Sequence, residues 1–499
     1  MSRKQKLILN TLTGVLKQVV TVICGFILPR YMLLYYGSAT NGLISSISNF
    51  LGFISLLDMG VGAVIQANLY KPLADKDSGT ISQIVKSSER FFRRLAYIFI
   101  GYIVLLCFLF SILFKSKYDS WFTISLLIIV SISTLAQYLF GMTYQLLLNA
   151  DQKSYVPLLL QIFTILANTI FAVVLMKLGM SVHIVKLMTA VVYVLRPLLQ
   201  MVYVHKHYNI DKTVKVIGEP IKQKWNGFSQ HFAAVVCQNI DIVVLTVFST
   251  LEEVSIYSVY YSVTSGVQQI IMTAATGLEA LFGNMIARGE KDKLSRTFIS
   301  VEWAIHTVVT FVFTVAAVTI VPFISVYTQG INDANYIAPA FATLLVIAYA
   351  LQCLRIPYFR IIKAAGHFKQ TQNGAYISAC LNIVITVGLV FNFGLVGAAI
   401  GTLVAMLYHT GYFVWYLSKN ILYRPINYFL QYLALDALTA LLSYLLTKGF
   451  QFNVSTYFEW VRLAVSDSLI VFAASVLVNL LFCRKQVCML TRLLMRKAR

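Results

Sequence analysis

The sequence predicts an all-α polytopic membrane protein with about 14 transmembrane helices. Three observations carry that prediction. Of the 499 residues, 59% are hydrophobic and only 12% are charged, with a mean hydropathy of +0.76; a soluble chain carries about 25% charge. The apolar residues fall in continuous runs long enough to cross a bilayer as helices, and they do not alternate as barrel strands do. Lys and Arg are divided very unequally between alternate loops.

In chain order the predicted spans are 11–36, 41–70, 91–114, 121–147, 154–178, 182–204, 226–250, 255–287, 297–327, 337–363, 370–393, 395–417, 427–449 and 459–482. The first run is already a full-length span with no A-x-A-like site after it, so a cleavable signal peptide is not expected. The second begins as another apolar helix but carries Asp58 between Leu57 and Met59, with Gly60 and Gly62 beside it, and runs out into charge at Lys71-Pro72. A carboxylate at membrane depth normally faces protein or a water-filled cavity, and small residues beside it let another backbone approach. The eighth and ninth spans are long, which implies tilt or extension into the cytosol. No loop is long enough for a soluble domain.

With the N-terminus inside, the inner segments hold about 29 Lys and Arg and the outer ones about 4, so both termini are predicted to be cytoplasmic. The inner set includes Arg3, Lys4 and Lys6, then Lys71 through Arg94, Lys206 through Lys224, Arg288 through Arg296 and the tail from Arg484. This distribution accounts for the net charge of +21 as topology signal and contact with anionic lipid, and no nucleic-acid partner is expected. Of the seven cysteines, five lie in spans and Cys483 and Cys488 lie in the basic tail, so free thiols are expected, with neither disulfides nor a metal site.

The chain repeats internally at an offset of about 215 residues: 146–168 falls on 360–382, Ala150 on Ala365, Gly179 on Gly394, and MGVGAVIQANL (59–69) on TGLEALFGNMI (276–286). Six spans per copy is an even number, so the copies are parallel, related by an axis along the membrane normal. The predicted organisation is an N-terminal lobe (1–205), a cytoplasmic linker (206–225), a C-terminal lobe (226–418), two extra spans (427–482) and a basic cytoplasmic tail (483–499). Two such lobes leave a cleft, and transporters of this kind rock one lobe against the other around a site near the midplane.

Three segments then resemble the polysaccharide (Wzx-type) flippases of the multidrug/oligosaccharidyl-lipid/polysaccharide (MOP) exporter superfamily: LLDMGVG (56–62), LLNADQKSY (147–155) and QNIDIVVLTVFSTLEEVSIYSVYYS (238–262). With the span count and the parallel repeat, the likeness covers nearly the whole chain. It implies translocation of an undecaprenyl-diphosphate-linked oligosaccharide from the inner to the outer leaflet of a bacterial cytoplasmic membrane, and two lobes around a cationic cavity. In the related lipid II flippases the two extra helices form a groove for the lipid tail. Other polysaccharide assembly proteins are implied as partners, and Na+ or H+ as the coupling ion; no cofactor is implied. The alternatives are a flippase for lipid II or a teichoic-acid precursor, a cation-coupled multidrug exporter, and a membrane-embedded polymerase or ligase of the same pathway.

Under that resemblance the in-membrane cations are candidates to hold the diphosphate: Lys17, Arg30, Arg196, Arg355 and Arg360, with Lys186 beside them. Arg forks match phosphate oxygens and Lys acts as a point charge. Lys17 could instead pair with Asp58, Arg30 could snorkel from its helix end, and Arg196 and Arg360 could reach inner headgroups. Asp58, Asp241 and Glu279 could balance these cations or serve ion coupling. Asp436 lies mid-span, Arg462 and Asp467 are most simply a pair, and His183, His306 and His409 read as hydrogen-bonded structural residues. Tyr257, Tyr260 and Tyr261 could sit in the interfacial belt or stack on sugar. The sequence contains no phosphate-loop motif, no H-E-x-x-H and no nucleophile elbow, so neither an internal ATPase nor catalysis is expected.

Overall fold

The computed structural model describes residues 3–57, 61–211, 214, 228–449 and 454–488, and all regular secondary structure among them is helical. Among the described residues, eleven helices are long and apolar enough to cross a membrane. Two of these each contain two spans. At 1.5 Å per residue a straight helix of the length of α1 (Arg3–Gly52) would reach about 75 Å, far beyond the hydrocarbon core. It is kinked at Gly37 (φ 79°, ψ 172°), and α14 (Phe368–Asn420) is kinked in the same way at Gly394 (φ 49°, ψ −125°). Both are positive-φ conformations that suit glycine, which has no Cβ to clash. Dividing α1 and α14 at these kinks and adding α8 (Phe228–Phe248) brings the helical segments to the predicted fourteen.

The chain divides into two compact units, Met1–Val235 and Val236–Arg499. In the first unit, α1 is followed by a 3-10 turn (Phe53–Leu57), α2 (Val61–Asp75), α3 (Ser78–Leu113), α4 (Ser120–Ala136), a π turn (Gln137–Gly141), α5 (Met142–Ala150), α6 (Tyr155–Lys177) and α7 (Val182–His207). α6 packs between α1 and α7, and α4 packs against α3 and α7. α7 packs against the π turn: a Cβ on Gly141 would lie 2.8 Å from the Cβ of Pro197. Asp77 caps α3, its carboxylate accepting from the Thr80 amide at 3.0 Å.

The second unit continues with α9 (Leu251–Ala274), α10 (Leu278–Ala287), α11 (Lys291–Tyr327), α12 (Pro339–Leu354), α13 (Ile356–Ala364), α14, α15 (Asn427–Lys448) and α16 (Tyr457–Phe482). α11 is its central helix, in contact with α9, α10, α12, α13, α15 and α16. Pro357 lacks an amide proton and clashes with the carbonyl four residues back, which accounts for the break between α12 and α13 at Arg355.

The repeat is visible element by element. α5 and α13 are both 9 residues long, and each leads into a turn with one positive-φ residue, Gln152 (φ 57°) or Gly366 (φ 74°). Gly179 (φ 72°) and Gly394 (φ 49°), superposed by the sequence offset, punctuate the next pair of spans. The second, fourth, eighth and tenth predicted spans are each interrupted, where continuous helices were expected. Asp58 falls outside the described residues, and so does any pairing of it with Lys17.

Candidate functional site

In the first unit, polar side chains from five stretches of chain surround a cavity of about 430 Å³. Ser48 comes from α1, Ser55 from the 3-10 turn, Ser133 and Thr134 from α4, and Asn168 from α6; Lys186, Thr189 and Tyr193 come from successive turns of α7. Among the described residues that line the cavity, Lys186 is the one charged side chain, and it has no hydrogen-bond or ion-pair partner among the described residues. Asn168 is 2% exposed; its Nδ2 donates to Tyr193 Oη at 3.3 Å, while its Oδ1 has no partner.

The other predicted cations of this unit have different surroundings. Arg196 donates through Nε and Nη2 to Thr164 Oγ1 at 3.3 and 3.1 Å, with its guanidinium 5.2 Å from the centre of the Tyr193 ring. Lys17 is half-buried on α1 with no side-chain partner among the described residues, and Arg30 is half-buried further along that helix. His183 bridges Ser125 Oγ at 2.9 Å and the Phe122 carbonyl at 3.2 Å, a structural role as expected.

In the second unit, Asp241 is 3% exposed on α8. Tyr257 Oη donates to its Oδ2 at 2.7 Å, Thr402 Oγ1 donates to the same oxygen, and its Oδ1 has no hydrogen-bond partner. Gly401, next to Thr402, presses against Thr386: a Cβ there would lie 2.1 Å from Thr386 Oγ1. Thr386 in turn donates to Asn382 Oδ1 at 2.9 Å, and Asn382 Nδ2 has no partner. Asn168 and Asn382 occupy the same position of the sequence repeat, so each unit carries a buried, partly unbonded amide at an equivalent place.

Glu279 on α10 meets two cations of α13, Arg360 Nη1 at 3.3 Å and Lys363 Nζ at 3.0 Å. Arg355, at the break between α12 and α13, has its guanidinium 5.8 Å from the Phe413 ring centre and its Nη1 4.0 Å from Met406 Sδ. His409 stacks on the same Phe413 ring at 4.8 Å.

Two partnerships escaped the sequence reading. Glu302 on α11 is 0% exposed and forms an ion pair with Arg424 Nη1 at 2.5 Å, while Tyr358 Oη donates to its other oxygen. The signal was available, since Glu302 is a lone acid within an apolar run. One turn further along α11, His306 meets Asp436 of α15. The expected Arg462–Asp467 pair is not formed: five residues turn a helix through about 500°, leaving the two on different faces. Arg462 lies on the exposed face and Asp467 is buried, with Oδ1 unpartnered. Tyr257 and Tyr260 are core residues, not belt residues; Tyr260 donates to the Tyr336 carbonyl at 2.8 Å.

Among the described residues the chain is all-helical, with repeated, interrupted apolar helices and buried polar side chains in both units. The fold is similar to that of the lipid II flippase MurJ in an inward closed conformation, with TM-score 0.71 and 14% identity over 96% of this chain and 100% of that one. It is also similar to a multidrug resistance MATE family transporter of the MOP superfamily in an inward-facing conformation, with TM-score 0.57 and 14% identity over 81% of this chain and 95% of that one. No protein-family model and no curated protein matches the sequence.

Proposed function

We propose that the chain is a flippase that moves undecaprenyl-diphosphate-linked oligosaccharide repeat units from the inner to the outer leaflet of the bacterial cytoplasmic membrane by alternating access. The observation that carries this reading is the extent of the fold likeness. The flippase fold matches 96% of the chain, a span too great to omit the α15–α16 pair, whereas the multidrug transporter fold matches 81%. In-membrane cations support the polysaccharide branch, because a diphosphate headgroup requires positive partners; Lys17, Arg30, Arg196, Arg355 and Arg360 are the candidates. With no phosphate-loop motif in the chain, an ion gradient or the membrane potential drives transport. Asp241 is the coupling residue: one carboxylate among neutral oxygens from Tyr257, Thr386, Thr402 and Asn382 suits a singly charged hard cation or a proton.

The test is genetic. In cells lacking the chain, lipid-linked oligosaccharide should accumulate on the inner leaflet while export of small cationic dyes is unchanged. Lost dye export with normal oligosaccharide would assign the chain to drug export. Accumulation of lipid II alone would make it a lipid II flippase.

A further inference from the structure

We propose that the cavity of the first unit binds an acidic sugar, a polyhydroxylated ring carrying a single carboxylate, within the transported oligosaccharide. This rests on the flippase reading and names the chemistry of its cargo. Ser48 Oγ donates its proton to the Ile44 carbonyl at 2.8 Å, and Thr189 Oγ1 donates to the Val185 carbonyl at 3.0 Å. A hydroxyl whose proton is committed to its own helix presents only lone pairs to a ligand. Asn168, buried in the same lining, donates Nδ2 to Tyr193, and its Oδ1 has no hydrogen-bond partner. These groups present acceptors, while the Ser133, Thr134 and Tyr193 hydroxyls, whose protons have no acceptor among the described residues, present donors. A lining of both kinds suits sugar hydroxyls, which donate and accept. An ionised diphosphate has no donor to offer Ser48 and Thr189.

Among the described lining residues stands one cation, Lys186. A single ammonium in a membrane-buried site balances one negative charge. A diphosphate carries at least two and is ordinarily held by several cations or guanidinium forks. Chloride matches the charge but leaves the acceptors unused. The Tyr138 and Tyr193 rings, with Leu28, Leu51, Ile54, Ile129 and Val130, offer apolar faces to the C–H side of a sugar ring. A cavity of about 430 Å³ has room for a monosaccharide unit.

The experiment uses the full-length protein in lipid nanodiscs, with thermal stability and calorimetric binding as readouts. The probes are sodium glucuronate, glucose, sodium chloride and sodium pyrophosphate. Glucuronate at millimolar concentration should raise the melting temperature and bind saturably, and the other three should not at equal concentration. Lys186→Met should weaken glucuronate binding at least about tenfold, the loss of one charge-assisted contact, while Lys186→Arg retains it. Asn168→Asp, which sets a negative charge in the lining, should abolish the response and serves as the test if Lys186→Met does not fold. An equal response to glucose, undiminished binding in the variants, or a preference for pyrophosphate or chloride overturns the inference. Proteoliposomes separate this from the function itself. Failure to flip any lipid-linked sugar overturns the flippase reading and leaves the binding result standing. Faster flipping of a neutral than of an acidic lipid-linked sugar overturns only the inference.

Discussion

His306 Nδ1 lies 2.5 Å from Asp436 Oδ2, and Thr310, one turn along α11, donates to Asp436 Oδ1 at 2.6 Å. The carboxylate of one extra helix is thereby held by two side chains of the repeated body. On the same face of α11, Trp303 Nε1 donates to Asn479 Oδ1 of α16 at 2.7 Å. In lipid there is no hydrophobic drive to bring helices together, so interhelical hydrogen bonds and close packing determine where they dock. This seam is what attaches α15 and α16 to α11.

Asp436→Leu removes both bonds and leaves His306 buried without its acceptor. Interhelical bonds in membranes are worth about 0.6 kcal/mol each, up to ~1.7, and a stranded buried polar group adds about 1–3 kcal/mol. The expected loss is about 2–3 kcal/mol, read from unfolding in mixed micelles. His306→Leu combined with Asp436→Leu should cost less than the two single changes added together. Strict additivity would mean that the two residues do not act on each other.

Asp151 offers a pH test outside the spanning helices. Burial by itself opposes its ionisation, but Lys153, Tyr208 and Lys6 outweigh that and hold the carboxyl below its ordinary range. The partners lie at 2.8, 2.5 and 3.4 Å. A folded-state value below the unfolded one means stability that is fully present above the unfolded value, about 3.9. It is lost as pH falls through the lower, folded value. Melting temperature should therefore show no Asp151-dependent change between pH 7 and about 5, and should fall below about pH 4. Asp151→Asn should melt lower at pH 7 and lose that acid-dependent decline. Equal acid profiles for the two proteins would remove Asp151 from the account.

The number of spans and the repeat were legible because both are written in local sequence: apolar length for the spans, and matched small residues such as Gly179 and Gly394 for the repeat. The partners were not legible. Position along a span tells depth, but contact depends on which face of the helix turns inward, and that is decided by packing. Arg462 and Asp467 had suitable depth and the wrong faces, while Glu302 and Arg424 meet across α11 and the segment before α15. Pro197 of α7 packs close to Gly141 at the π turn, a contact between helices that no local pattern announces. Which hydroxyls of the Lys186 cavity donate and which accept depends on where each sends its proton, which composition does not record.

Topology is testable residue by residue. In a cysteine-free background, single cysteines at Ser120, Gln329 and Thr456 should react with an impermeant thiol reagent added outside intact cells. Cysteines at Ser78 and Lys291 should react only after permeabilisation. Ser120 and Lys291 begin α4 and α11, and Thr456 caps α16, so all three lie at helix ends. External labelling at Lys291 would invert the proposed orientation.

Asp241→Asn separates ion coupling from a purely structural carboxylate. Asn has nearly the shape of Asp and can still accept from Tyr257 or Thr402, so the packing around α8 should survive. What it loses is the negative charge, which is what a Na+ ion or a proton would require. If Asp241 couples transport, the variant should purify as folded protein, and gradient-driven flipping should fall to background. Any rise in melting temperature that Na+ produces in the unaltered protein should vanish. Thr402→Val, which removes a neutral oxygen and keeps the charge, should weaken the ion response by about tenfold, the equivalent of ~1.4 kcal/mol. If Asp241 serves only to satisfy Tyr257 and Thr402, Asp241→Asn should lower stability by about 1–2 kcal/mol and leave the dependence of flipping on the gradient intact. Two measurements on one variant decide between these: a normal melting curve with no driven transport supports coupling, and a lowered curve with driven transport retained assigns Asp241 to the framework of the second unit.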